Sequence, residues 1–164
     1  MMPLWNRLDP LDERAARWMA RHGIRLLRLS LGLVFAWFGA LKFFPGLSPA
    51  QDLAGSTIET LSLGLVPAAV AVPVLAAWEV AIGVGLLSGR LLRLTLALLW
   101  LQMLGTVTPL ALFPEQCFTW FPLAPTLEGQ YILKNGVLVA AGLVLGATVR
   151  GGRLVADPTR RAPV

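Results

Sequence analysis

Four stretches of the chain run about twenty residues each with almost no charge: Ile24–Phe44, Ala68–Leu87, Leu91–Leu112 and Tyr131–Val149. An α-helix needs ~20 apolar residues to cross the hydrocarbon core of a bilayer. The pattern therefore predicts an all-α integral membrane fold, a four-transmembrane-helix bundle. Basic residues precede the first stretch, as in a signal peptide. It is too long for a signal h-region and has no small-x-small cleavage site, so it reads as a retained helix.

Two shorter elements fit around the bundle. Asp9-Pro10 has the form of an N-cap and first-turn proline, and Gly23 the form of a stop, which predicts a helix over 10–22. Leu11, Ala15, Trp18 and Met19 share one face of it and Arg14, Arg17 and Arg21 another. Such a helix lies on a membrane surface or is simply solvated. Ser48-Pro49 repeats the cap signal, so a short helix over 49–62 is expected above the outer mouth, too polar to span. The stretch 113–130 holds Pro114, Pro122 and Pro125 among aromatic residues and is expected to be a non-helical interfacial loop. The chain thus divides into a cytoplasmic N-terminal segment (1–23), a four-helix membrane domain (24–150) and a cytoplasmic tail (151–164).

Composition agrees with the pattern. Of 164 residues, 56% are hydrophobic and 14% charged, with a mean hydropathy of +0.69, which excludes disorder and leaves more apolar surface than a small soluble domain can hide. Net charge is +5, but the distribution of the cations speaks against nucleic acid as a partner. All twelve arginines lie before or at the start of the first stretch, between the second and third, or after the fourth. The segments 45–67 and 113–130 contain no Lys or Arg, only Asp52, Glu59, Glu115 and Glu128. Short cytoplasmic segments carry the Lys/Arg excess, so both termini are expected in the cytoplasm.

One cysteine, Cys117, excludes an internal disulfide or a CxxC motif, and one histidine, His22, excludes a His-rich metal or haem site. Neither metal nor haem is expected. Cys117 reads as an incidental interfacial residue and His22 as a cation in the last turn of a helix.

Polar groups at membrane depth remain, each costing about 2.5–3.5 kcal/mol if ionised at the centre of a span. Glu79 lies mid-way along the second stretch with no local partner. Gln102 lies mid-way along the third, on one face with Thr95 and Thr106. Lys42 and Lys134, the only lysines, end the first stretch and begin the fourth, and Asn135 follows. A single terminal lysine snorkels to the head groups. Two lysines on the acidic side instead suggest counter-ions for Glu79, which is expected to lie two to three turns deeper. Arg28, Phe35 and Lys42 repeat every seven residues and form one stripe on the first helix. Gly142-x-x-x-Gly146 and Ala77, Ala81, Gly85 suit close helix packing.

The run from Leu27 to Phe43, with its Arg28, Trp37-x-Gly39 and Gly39-x-x-Lys42, resembles the first helix of the DoxX/DoxD-like membrane proteins, especially the YkgB-like branch. Glu79, Gly83 and Leu86-Leu87 through Gly89-Arg90 resemble that family's second helix and turn. Glu128-Gly129-Gln130-Tyr131-Ile132-Leu133-Lys134-Asn135 resembles its fourth. The resemblance implies a four-helix protein of the bacterial cytoplasmic membrane, in a family that includes membrane subunits of thiosulfate:quinone oxidoreductases. It also singles out Lys42, Glu79, Lys134 and Asn135.

Two functions are weighed. In one, a redox-associated membrane protein holds a quinone-like lipid, with Glu79 protonatable at the site of chemistry and Lys42, Lys134, Asn135 and Gln102 as ligand-binding residues. Electrons would come from a partner redox subunit, because a lone cysteine supports no thiol relay. In the other, a non-enzymatic scaffold uses the charged residues to lock the bundle, assembles as a homo-oligomer or recruits a partner, and contacts only membrane lipid. A small transporter is a weaker third reading, since no broken, inverted pair of segments is evident.

Overall fold

The computed structural model describes residues 4–152 and residue 154, with side chains from Pro10 onward. The chain forms α1 (Leu4–Leu41), α2 (Gln51–Leu61), α3 (Ala68–Ser88), α4 (Leu92–Val107), the single turns α5 (Pro109–Leu112) and α6 (Pro114–Cys117), the strands β1 (Phe118–Trp120) and β2 (Ala124–Pro125), and α7 (Leu127–Thr148). Four helices are long and apolar enough to cross a membrane: Pro10–Leu41, Ala68–Ser88, Leu92–Leu112 and Leu127–Thr148. The expected four-helix membrane architecture is present.

The four helices converge on Leu31 and Phe35 of α1, Ile82 and Leu86 of α3, Leu96, Leu99 and Met103 of α4, and Ala141 and Leu145 of α7. Large apolar residues such as Leu33, Trp37, Leu94, Leu104 and Val137 point outward instead. A helix that is apolar all round suits a lipid surrounding, where outward Leu and Val cost nothing.

Backbones approach most closely between α1 and α3. A Cβ on Gly39 would lie 2.7 Å from the Glu79 Cβ and 2.9 Å from the Val80 amide nitrogen, and one on Gly83 would overlap the Ala36 backbone. Gly32 sits slightly less tightly, a Cβ there lying 3.0 Å from Leu86 and Leu87. This glycine seam, not the expected Ala77 and Ala81, joins the helices; both alanines face outward, one position off the buried row that contains Ala76 and Gly83. Gly85 does pack closely, against Thr95, and Gly142 and Gly146 receive Leu99, Trp100 and Leu96 of α4.

Several boundaries differ from the sequence expectation. Helix α1 is continuous from Leu4 to Leu41, with Pro10 and Gly23 inside it, so no separate surface helix ends at Gly23. Gly23 meets no neighbour and its φ is not positive, and a tolerated glycine within a long helix costs only about 1 kcal/mol. His22 accordingly lies mid-helix, beside the Trp18 ring at 5.2 Å between centroids. The segment 113–130 is not irregular. Pro109 and Pro114 each start a helical turn, and β1 and β2 pair antiparallel with Phe118 opposite Pro125 and Trp120 opposite Ala124. Helix α7 starts at Leu127, four residues earlier than expected, because the Thr126 hydroxyl accepts a hydrogen bond from the Gly129 amide. Helix α2 is found within the expected range. The tail beyond residue 152 falls almost wholly outside the described residues.

Candidate functional site

Helix α1 stops short of its partner. Gly39 is level with Glu79, yet α3 continues eleven residues back to Ala68, roughly 16 Å at the helical rise. Residues 42–50 and α2 fill that end, with Gly55 of α2 against Ala68 and Val72 of α3. Beneath α2 the short first helix leaves a cavity of about 500 Å³, walled by α1, α2, α3, α4 and α7.

The same shortness brings Lys42 and Glu79 together. Lys42 lies in the turn just past α1, its Nζ donating to Glu79 Oε2 at 2.6 Å. The expected gap of two to three turns is absent, because Lys42 sits deep beside the middle of α3 rather than at the outer boundary. Both side chains are 11% exposed. The second carboxylate oxygen, Oε1, accepts from Gln102 Nε2 at 2.7 Å. One carboxylate thereby ties α1, α3 and α4 through two charge-assisted hydrogen bonds, the kind that offsets the cost of taking an ion out of water.

Gln102 is left with an obligation. A carboxylate only accepts, so the amide nitrogen must face Glu79 and the amide oxygen must turn away. That oxygen is buried and has no hydrogen-bond partner among the described residues. Gln102 borders the cavity, as does Thr106 one turn on, whose hydroxyl is committed to the Gln102 carbonyl. Thr95, expected on the same face, is buried against Gly85 instead, below the cavity.

Lys134, an exposed residue, and the half-buried Asn135 of α7 also line the cavity. Neither makes a side-chain hydrogen bond to Glu79, and Lys134 forms no ion pair among the described residues. The five residues singled out by charge and depth thus border one space, three of them joined directly. The Arg28, Phe35, Lys42 stripe faces α3 along its length: Arg28 donates to the Leu86 carbonyl at 2.5 Å, Phe35 is buried, and Lys42 meets Glu79.

The sequence reading missed the apolar walls. Phe35, Phe38 and Trp78 line one side, and Leu53, Thr57 and Ile58 of α2 form the roof. Trp78 is held by donating from Nε1 to the Leu98 carbonyl at 3.2 Å. A polar α2 gave no sign of an apolar underside, although Leu53, Thr57 and Ile58 recur at the spacing of a helical face.

Cys117 is not interfacial. It is fully buried with Leu53 and Ile132, and its thiol donates to the Pro109 carbonyl at 3.5 Å. Burial raises its pKa, and the nearby Glu115 and Glu128 raise it further. A thiol so placed is a poor nucleophile.

No similar chain was found among curated proteins or solved structures. The DoxX family model matches residues 23–112, a stretch that runs from the lower part of α1 through α5 and includes Lys42, Glu79 and Gln102. The match is to the family as a whole rather than to a branch of it, and with more than half of its length covered the chain belongs to the DoxX family.

Proposed function

We propose that this protein is a redox-associated membrane protein whose cavity holds the head group of a quinone-like lipid. The observation that carries this reading is the cavity itself: a largely apolar space into which the turn after α1 and helices α3, α4 and α7 each bring one or two polar residues. Ligand sites generally combine apolar walls with a few convergent polar groups.

The donor set fits such a head group. Lys42 has three N–H groups and gives one to Glu79, Lys134 and Asn135 of α7 border the cavity, and the Gln102 oxygen has no donor among the described residues. A quinone supplies reversible two-electron, two-proton chemistry when bound. The chain's own contribution is to orient the ring between Phe35, Phe38 and Trp78, to present N–H groups to its oxygens, and to hold or release a proton at the Glu79 carboxylate. With a single buried cysteine, the electrons are assigned to a partner redox subunit. Membership of the DoxX family supports a bacterial cytoplasmic membrane location, and the arginine distribution supports both termini inside and the cavity in the outer half.

Purified protein, extracted for lipid quinones and titrated with a short-chain ubiquinone or menaquinone, tests the reading. Retained quinone, and a Kd that rises at least about ten-fold in Glu79→Gln or Gln102→Leu, supports it. Absence of quinone together with no saturable binding overturns it.

A second reading rests on the pairing of Glu79 with both Lys42 and Gln102. A carboxylate engaged on both oxygens is suited to locking helices in a scaffold. Glu79→Gln separates the two: normal assembly with lost binding favours the ligand site, and lost assembly favours the scaffold.

A further inference from the structure

At the opposite end of the bundle lies a second cavity, of about 300 Å³, bordered by α1, α3, α4 and α7. Its walls are of two kinds. Arg21, Arg25 and Arg28 of α1 border it on one side, and Leu86, Leu96 and Leu145 close the other. The arginines follow at intervals of four and three residues, so they share a helical face and span roughly 10 Å along it.

These guanidinium groups have no anion to answer them among the described residues. Among the described residues the ion pairs are Arg17 with Glu13 and Lys42 with Glu79. Arg28 uses Nη1 on the Leu86 and Leu87 carbonyls at the end of α3, leaving its Nε and Nη2 donors uncommitted among the described residues. Arg21 and Arg25 make no side-chain hydrogen bond there. From Arg14 to Arg28 the sequence holds five arginines and no Asp or Glu. The guanidinium fork matches the oxygen pair of a phosphate, the anion that phospholipid head groups share.

The apolar side decides what carries the phosphate. A soluble phosphate needs no leucine wall, whereas a phosphodiester attached to acyl chains needs both halves, and basic pockets between membrane helices bind anionic head groups. The geometry points to a binding site for the head group of an anionic phospholipid, its phosphate between Arg21, Arg25 and Arg28 and the start of its acyl chains against the half-buried Ile24, Leu92 and Val149 at the rim of the same cavity.

The site is separable from general basicity of that face, because Arg90 and Arg93 sit nearby in the chain's α3–α4 turn region yet do not border the cavity. Purified full-length protein is titrated in detergent with dioleoyl phosphatidylglycerol, dioleoyl phosphatidylcholine or inorganic phosphate. Native mass spectrometry reads occupancy, and a thermal shift reads stabilisation. Phosphatidylglycerol is expected to bind and stabilise, and the other two are not. R21Q/R25Q, at two exposed positions, is expected to weaken that binding at least about ten-fold, and R90Q/R93Q less than two-fold. Thr148→Trp, which fills the cavity and keeps every arginine, should weaken it as R21Q/R25Q does. Equal loss in the two arginine pairs, unchanged binding in Thr148→Trp, or equal stabilisation by inorganic phosphate would each overturn the assignment.

Discussion

A buried ion pair is costly to break and cheap to replace. Removing one partner from the Lys42–Glu79 contact leaves an uncompensated charge at membrane depth, a loss of about 3–5 kcal/mol, whereas replacing both by apolar residues is often near neutral. Thermal unfolding in detergent should therefore find Lys42→Met and Glu79→Leu each strongly destabilised, and the double variant more stable than either. Additive losses would mean that the pair contributes little beyond packing. Cys117 offers a contrast, being buried and protonated without a role in the network. Its pKa is raised in the fold, so the thiol's contribution to stability is present below the ordinary thiol value and is lost as pH rises through the higher folded value. Maleimide is expected to leave it unlabelled in the native protein at pH 7 to 8 and to label it after denaturation in sodium dodecyl sulfate. Rapid native labelling would contradict its burial.

At the scale of elements, the helices hold together by what is missing from them. Gly83 brings the α1 and α3 backbones into contact, so Gly83→Val must push them apart, and overpacking of this kind typically costs about 1–3 kcal/mol. Gly23 lies in the same helix-forming context but meets nothing. Gly23→Ala should raise the midpoint of thermal unfolding, by an amount equivalent to about 0.5–1 kcal/mol. A lowered midpoint would restore the helix break read from the sequence. The comparison shows why local signals misled there: a Gly after a basic stretch has the form of a helix stop, but continuation costs little once packing and lipid favour a straight rod. Pattern succeeded where the constraint was the solvent, as with the four apolar spans. It failed in the segment 113–130, where Thr126, the Cys117 carbonyl and two prolines fix short elements through contacts distant in sequence.

For the whole molecule, charge and depth singled out Lys42, Glu79, Gln102, Lys134 and Asn135 in the sequence, and the fold joins the first three directly. Their mutual arrangement was not legible, because it follows from α1 ending about nine residues short of the level at which α3 begins. Four spans place the two ends of the chain on one side, and the proposed orientation puts that side in the cytoplasm because the arginines gather there. A reporter active only in the cytoplasm, fused at either terminus, should be active, and the same reporter inserted near Ser62 should be silent. The opposite pattern would reverse the orientation.

The joined state of Lys42 and Glu79 also bears on how the protein stands in an energised membrane. A lone elementary charge crossing the full bilayer exchanges about 2.3 kcal/mol with each 100 mV of transmembrane voltage. A lysine and a glutamate 2.6 Å apart form a short dipole with no net charge, so the electric field exerts almost no net force on the pair. As long as the proton stays off the carboxylate, the heart of the bundle is electrically silent; once a proton reaches Glu79, the site carries one positive charge and the membrane potential begins to act on it.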